Sequence, residues 1–294
     1  MRHAGVRLQI DAVIVSVAGE TPRVLTVAGA PRLPSGDFAP ETDRTLELAA
    51  RRLIGEQTGL RVGYLEQLYT FGDRDRDPRE AAGGPRLVSV GYLALVGVDA
   101  AHAAPSGVAW HDWYAHLPWE DQRADAAERT AAARFVRARS RRGDAPLRER
   151  ARVLFGIDGA AWNDEAVLER YELLYELGAV AEAGGRDAAF GMPMELDHRR
   201  ILATAIGRIR GKIAYRPIVF ELVPGAFSLS ELQHTVEALA GRVLHGPNFR
   251  RLVEDSGIVE ETGERRPSGG RPAKIYRFRP DVLAERPDPG IGIR

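Results

Sequence analysis

Asn248, Arg250 and Arg251 share the stretch PNFRRLVEDSG with Phe249, Leu252 and Val253, which fall at i, i+3 and i+4. That spacing buries the three apolar residues of a helix and turns the three polar ones to solvent. Carboxamides and guanidinium forks exposed on one helix pair with base edges in the major groove of DNA. Downstream, Arg265, Arg266, Arg271 and Lys274 surround an SGG turn, where they suit phosphate contacts that carry no sequence information and weaken with salt. A different chemistry is suggested by Arg52 and Glu56. Carboxylates gathered on one helix face could hold a divalent cation against a phosphate, although Arg52 and Glu56, four apart, can equally form an intrahelical ion pair.

The elements around the arginines read as helix, turn, helix and basic hairpin. Ser228 with Glu231 forms a capping box that starts a helix near Leu229 and Gly241 stops it, while Gly246 and Pro247 open a second helix running to about Asp255. Asp197 can cap a preceding helix to about Ala214, with Ile201, Leu202, Ala205, Ile206, Ile209 and Ile213 as its buried stripe, and PIVFELVP reads as a short strand. Tyr276 and Phe278 alternate with Arg277 and Arg279 along the last strand. The order is that of a winged helix-turn-helix, whose partner is double-stranded operator DNA; a homodimer on a palindrome places one helix in each half-site.

The 294 residues carry 41 basic and 41 acidic side chains, and the balance is uneven. Residues 197–279 hold 15 Lys and Arg against 9 Asp and Glu, leaving 26 against 32 elsewhere, so a basic module is joined to an acidic remainder. The absence of cysteine excludes disulfides and thiol catalysis and makes a reducing cytoplasm the expected location. No apolar run approaches the roughly 20 residues that span a bilayer, so no membrane partner is expected.

The N-terminal part reads as α+β. Strands at Arg7 to Val17 and Arg23 to Ala28 precede a helix from about Thr45 to Thr58, ended by Gly59, with Leu46, Ala49, Ala50, Leu53 and Ile54 at helical spacing. YLEQLYTFGD and PRLVSVGYLALVGV read as further strands, completing a mixed sheet with the helix packed on it. Between Trp110 and Gly191 lies a segment rich in helix patterns, at Asp125 to about Ser140, Pro146 to Phe155 and within DEAVLERYELLYELGAVAEA. His111 and His116 have no third ligand at metal spacing and read as aromatic packing; the basic run RARSRRGD is read as a solvated linker rather than a DNA contact.

LPSG at Leu33 to Gly36 and RRLIGEQTGL at Arg51 to Leu60 resemble a Nudix box, G-x5-E-x7-R-E-U-x-E-E-x-G-U. Arg52, Ile54 and Glu56 match it. Leu53 and Gln57 replace two of the three metal-binding glutamates, and Glu47 projects from nearly the opposite face, so little or no pyrophosphohydrolase activity is expected and no metal or cofactor is required. Together with YTFGDRDRDPR, DHRRILATAIGRIRGKIAYRPIVFELVP, FSLSELQ and NFRRLV, the chain resembles the Nudix-related transcriptional regulators of NAD metabolism, nearest to the NadQ-like branch. The resemblance implies a Nudix-like sensor over residues 1–110, a helical insertion over 111–196, a winged helix-turn-helix over 197–280 and a flexible tail over 281–294. It also implies a repressor of NAD biosynthesis or salvage genes that answers to a nucleotide such as ADP-ribose, NAD or ATP, with Arg52, Glu56, Phe71 and Asp73 near the effector. The rival reading is a Nudix pyrophosphohydrolase acting on ADP-ribose or NADH; a third, a winged helix serving only protein contacts, predicts no salt-dependent DNA affinity.

Overall fold

The computed structural model describes residues 5–27, 29, 31–74, 76–97, 107–123, 127–267, 272–285 and 290–291. In the N-terminal half, strands β1 (Val6–Ala18), β2 (Thr21–Val27), β3 (Ser35–Asp37), β4 (Tyr64–Phe71), β5 (Arg86–Leu95) and β6 (Val108–Asp112) form one mixed sheet in the order β4-β5-β1-β2-β6, with β3 paired to β1. β1 runs parallel to β5, Ile10 opposite Val90, and antiparallel to β2. It is buried along nearly its whole length because both faces are covered. Ile10, Ala12 and Ile14 pack toward helix α1 (Leu46–Thr58), whereas Val13, Val15 and Val17 enter a larger core built with the helices that follow. The Thr45 side chain caps α1 by accepting from the Leu48 N–H, and Gly59 closes it at φ 67°.

After α2 (Pro78–Ala81) come α3 (Trp113–His116), α4 (Ala127–Ser140), α5 (Ala145–Leu154), α6 (Val167–Glu176) and α7 (His198–Ile213). The expected boundary at residue 110 cuts through β6, whose His111 and Trp110 pair with Val24 and Leu25 of β2, so the sensor sheet reaches Asp112. His111 and His116 meet edge to face at 6.0 Å, and Trp113 and Trp119 are fully buried. The helix pattern from Asp125 begins, among the described residues, at Ala127.

The C-terminal unit comprises β7 (Phe227–Ser228), α8 (Leu229–Ala240), α9 (Gly246–Ser256), β8 (Val259–Arg266) and β9 (Ala273–Phe278), the strands ordered β7-β9-β8. The Ser228–Glu231 capping box forms with both of its hydrogen bonds. Two expectations are corrected. PIVFELVP is not a strand: Ile218–Glu221 is a 3₁₀ turn, because Ile218, Val219, Leu222 and Val223 are all buried and can share one side only on a coiled backbone. Asp197 precedes α7 without capping it, because both of its carboxylate oxygens accept from the Arg76 guanidinium at 2.6 and 2.7 Å. Of the expected tail, residues 281–285 and 290–291 are described. Val282–Glu285 is a helical turn, Val282 and Ile291 are each 1% exposed, and the Ile291 N–H donates to the Ile213 carbonyl.

Candidate nucleic-acid interface, effector cleft and the joint between them

On α9 the packing follows the apolar spacing. Phe249 and Val253 are buried, Leu252 packs beside them, and Asn248, Arg250 and Arg251 are exposed. Arg250 makes one long contact, 3.4 Å to the Ser230 hydroxyl, and Arg251 has no hydrogen-bond or ion-pair partner among the described residues. The wing is less free than its composition suggests. Arg266 pairs with Glu231, Lys274 with Glu261 and Arg277 with Glu260, at 2.7, 2.7 and 2.6 Å. Arg265 is exposed on β8, and Arg271 lies outside the described residues. All of these pairs are exposed, so DNA phosphates can compete for the cations at little cost.

The box helix has been put to structural use. Arg52 forks onto Asp43 with contacts of 2.9 and 2.7 Å and reaches Glu56 at 3.0 Å. The Arg52 hydrogen bonds hold the Asp43 carboxyl down at about 2. Leu53 is 8% exposed and packs over Gly36 in the cradle that the box loop makes. The Gln57 amide donates to the Ser35 carbonyl at 2.7 Å and accepts from the Ser35 N–H at 3.2 Å, a pairing that an ionised glutamate, which only accepts, cannot make. Glu56 is the one residue matching the metal-binding glutamates, and it serves Arg52. Among the described residues no three His, Cys, Asp or Glu side chains converge as metal ligands. The double substitution Leu53→Glu and Gln57→Glu is therefore expected to raise Mg²⁺ affinity in calorimetric titration while lowering stability by roughly 1 to 3 kcal/mol, the usual cost of orphaning a buried polar group. Efficient Mg²⁺-dependent hydrolysis of ADP-ribose by the unaltered chain would contradict this account of the box.

A cleft of about 690 Å³ opens where the loop after β4 faces α6 and the start of α7, lined among others by Asp73, Arg74, Arg76, Tyr171, Tyr175 and Arg200. The Arg200 guanidinium lies 5.4 Å from the Tyr175 ring, is held by Glu172, and approaches Asp73 at 3.9 Å. Phe71 is buried behind the rim, its ring 5.6 Å from the Arg76 guanidinium and its carbonyl accepting from Arg76. The four expected effector residues therefore do not gather. Asp73 lines the cleft and Phe71 supports it, while Arg52 and Glu56 line none of it. Aromatic faces beside guanidinium groups suit a ligand with a flat base and anionic oxygens.

Helix α7 connects this cleft to the reader. Its first residue, His198, accepts the Leu33 N–H on Nδ1 at 2.9 Å, which ties the box loop to the helix. Further along, Arg208 and Lys212 each reach Glu66 of β4 at 2.7 Å. At its C-terminal part Arg210 enters a fully buried cluster. Glu120 accepts from Arg170 at 2.6 and 2.8 Å and from Arg210 at 2.6 Å, and Arg210 also donates to the Leu239 carbonyl at the end of α8. The Tyr114 hydroxyl donates to the Ala238 carbonyl, and the Gln122 N–H donates to Gly241 at 2.6 Å. Gly241 is required twice, by its φ of 71° and because a Cβ there would stand 2.6 Å from the Glu120 carbonyl. Burial alone would raise the Glu120 carboxyl; the charges and hydrogen bonds of Arg170 and Arg210 overcome it and hold the group below its ordinary value. Sequence reading missed this joint, although a signal existed. Arg199 and Arg210 fall within the buried stripe of α7, and arginines on an apolar face require buried partners.

Residues 219–278 match the NrtR DNA-binding winged helix domain. The ADPR responsive transcriptional repressor NtrR of Acinetobacter baylyi is 26% identical over 246 residues, covering 84% of this chain and 68% of that protein. Among solved structures, Shewanella oneidensis NrtR complexed with a 27mer DNA aligns with a TM-score of 0.58 and 25% identity over 94% of this chain and 95% of that one. A MutT/nudix family protein from Enterococcus faecalis shares the fold, with a TM-score of 0.54 and 21% identity over 95% of this chain and 88% of its own.

Proposed function

We propose that this chain, which joins an NrtR-type winged helix to a Nudix-like domain, is a transcriptional repressor that binds operator DNA and responds to ADP-ribose or a closely related nucleotide. The observation that carries the reading is Arg251, exposed and without a side-chain partner among the described residues, beside Asn248 and Arg250 on the second helix of the matched DNA-binding domain. These three side chains read base edges, and Arg265, Arg266, Arg271 and Lys274 of the wing hold phosphates. A homodimer places two such helices on a palindromic operator controlling NAD biosynthesis or salvage genes. The box serves structure rather than hydrolysis, since its arginine and amide are committed to Asp43 and Ser35. The effector lies in the cleft of Asp73, Arg76, Tyr175 and Arg200, against the start of α7, and binding there favours one setting of the α7 joint over another, as any effector must to shift a population.

The test is a binding titration of the DNA upstream of the chain's own gene, with and without ADP-ribose, NAD and ATP. Arg251→Ala is expected to weaken operator binding by about 1 to 3 kcal/mol and to relax discrimination at one base position. Unchanged binding across operator variants would remove α9 as the reader.

A further inference from the structure

The wing does not hold most of the exposed positive charge of this protein. Residues 127–154, which form α4 and α5, contain nine arginines against three carboxylates. The apolar side of this helical hairpin is spent on packing: Ala132, Val136, Ala151 and Leu154 are buried, and the Phe135 ring meets Phe190 at 5.1 Å. The arginines are consequently turned outward. Arg137, Arg150 and Arg152 pair with Asp158, Glu176 and Glu149, but Arg134, Arg139, Arg141 and Arg142 are exposed and have no hydrogen-bond or ion-pair partner among the described residues. Wing cations, by contrast, are mostly met by neighbouring glutamates.

The root of the hairpin stands at the reader. Arg129 of α4 donates to the Gln122 side chain at 2.7 Å, and the Gln122 N–H donates to Gly241, where α8 gives way to the turn before α9. The hairpin is thus tied at its start to the end of α8, on a chain whose net charge is zero. Helix α4, at 1.5 Å per residue, extends for about 20 Å, comparable to roughly six base pairs of duplex. We propose that the α4–α5 arginine hairpin is a second DNA contact, holding the phosphates of duplex that flanks the stretch read by α9. It rests on the DNA-binding reading above and adds to it a surface outside the winged helix.

The experiment compares the full chain with the variant Arg134→Gln, Arg139→Gln, Arg141→Gln, Arg142→Gln on two labelled duplexes from the gene's own upstream region. One is trimmed to the protected core and the other extended by about ten base pairs on each side. Each affinity is followed against salt concentration. The unaltered chain is expected to bind the long duplex more tightly and with a steeper salt slope than the short one. In the glutamine variant both differences disappear, with about a tenfold loss or more on the long duplex and none on the short one, because each lost phosphate contact lowers the slope by about 0.9. The corresponding Arg→Lys variant keeps the charge and retains the steep slope. Equal slopes for the unaltered chain and the glutamine variant, the result expected if the hairpin serves an acidic protein partner instead, would overturn the assignment, as would loss of the slope in the lysine variant. Failure of the unaltered chain to bind either duplex would instead overturn the DNA-binding reading itself.

Discussion

Glu120→Ala is expected to lower the free energy of unfolding by about 3 to 5 kcal/mol, the cost of leaving buried charge uncompensated. The carboxylate is wholly inaccessible, as is Arg170, and Arg210 is 1% exposed; one carboxylate therefore neutralises two guanidinium groups far from water. Removing it leaves both cations buried, with the Trp162 ring, 3.8 Å from Arg170, the Tyr114 hydroxyl and a few carbonyl groups as their remaining partners among the described residues. Glu120→Gln retains an acceptor oxygen and should cost less, while replacing all three residues by apolar ones of similar volume should cost least. Urea unfolding followed by circular dichroism measures the series, and a loss below about 1 kcal/mol for the alanine variant would show that the cluster is hydrated. The same variant should blunt any effector response, since Arg210 and Glu120 are what join α7 to the end of α8.

Stability is also expected to fall as pH drops from about 6.5 to about 4, by roughly 3 kcal/mol attributable to His116. Burial pushes the His116 imidazole from 6.5 down to about 4. Its Nδ1 bonds the Met192 carbonyl at 3.1 Å, while Nε2 is buried with no hydrogen-bond partner among the described residues, and His111 and Arg199 stand nearby. The folded state therefore keeps this ring neutral where the unfolded chain would protonate it. Within that window the unfolded state binds more protons, so the contribution is fully present above the unfolded value and is lost as pH falls toward the folded one. His116→Asn keeps a donor for Met192 but cannot titrate, and should flatten the slope across this range in chemical denaturation. An unaltered slope would place the acid sensitivity elsewhere.

What was legible in the sequence follows from which forces are local. The α9 stripe of Phe249, Leu252 and Val253, the Ser228–Glu231 cap and the Gly59 stop depend on neighbours within one or two turns, and spacing reveals them. The missing carboxylates of the box were legible for the same reason. That Leu53 fills the cradle over Gly36 and Gln57 clamps Ser35 was not, because those partners come together only when the loop folds back. Asp197 shows the limit most clearly. Its position suits a helix cap, yet Arg76, 121 residues earlier in the chain, takes both oxygens. The cleft has the same character, since Asp73, Tyr175 and Arg200 lie on three separate elements that only tertiary packing brings together. PIVFELVP reads as a strand and folds as a turn, because a run of apolar residues without polar alternation does not separate the two by pattern alone.

Helix α7 is anchored to the box loop through His198, to the sensor sheet through Arg208 and Lys212, and to the reader through Arg210. Its apolar face lies in a single core that runs from β1 to α9. The two ends therefore cannot melt separately without exposing that face, and the chain is expected to unfold as one cooperative unit. A nucleotide that stabilises the cleft raises the opening free energy of amide groups in the winged helix as well, so occupancy of the sensor is written into the exchange protection of a surface it never touches.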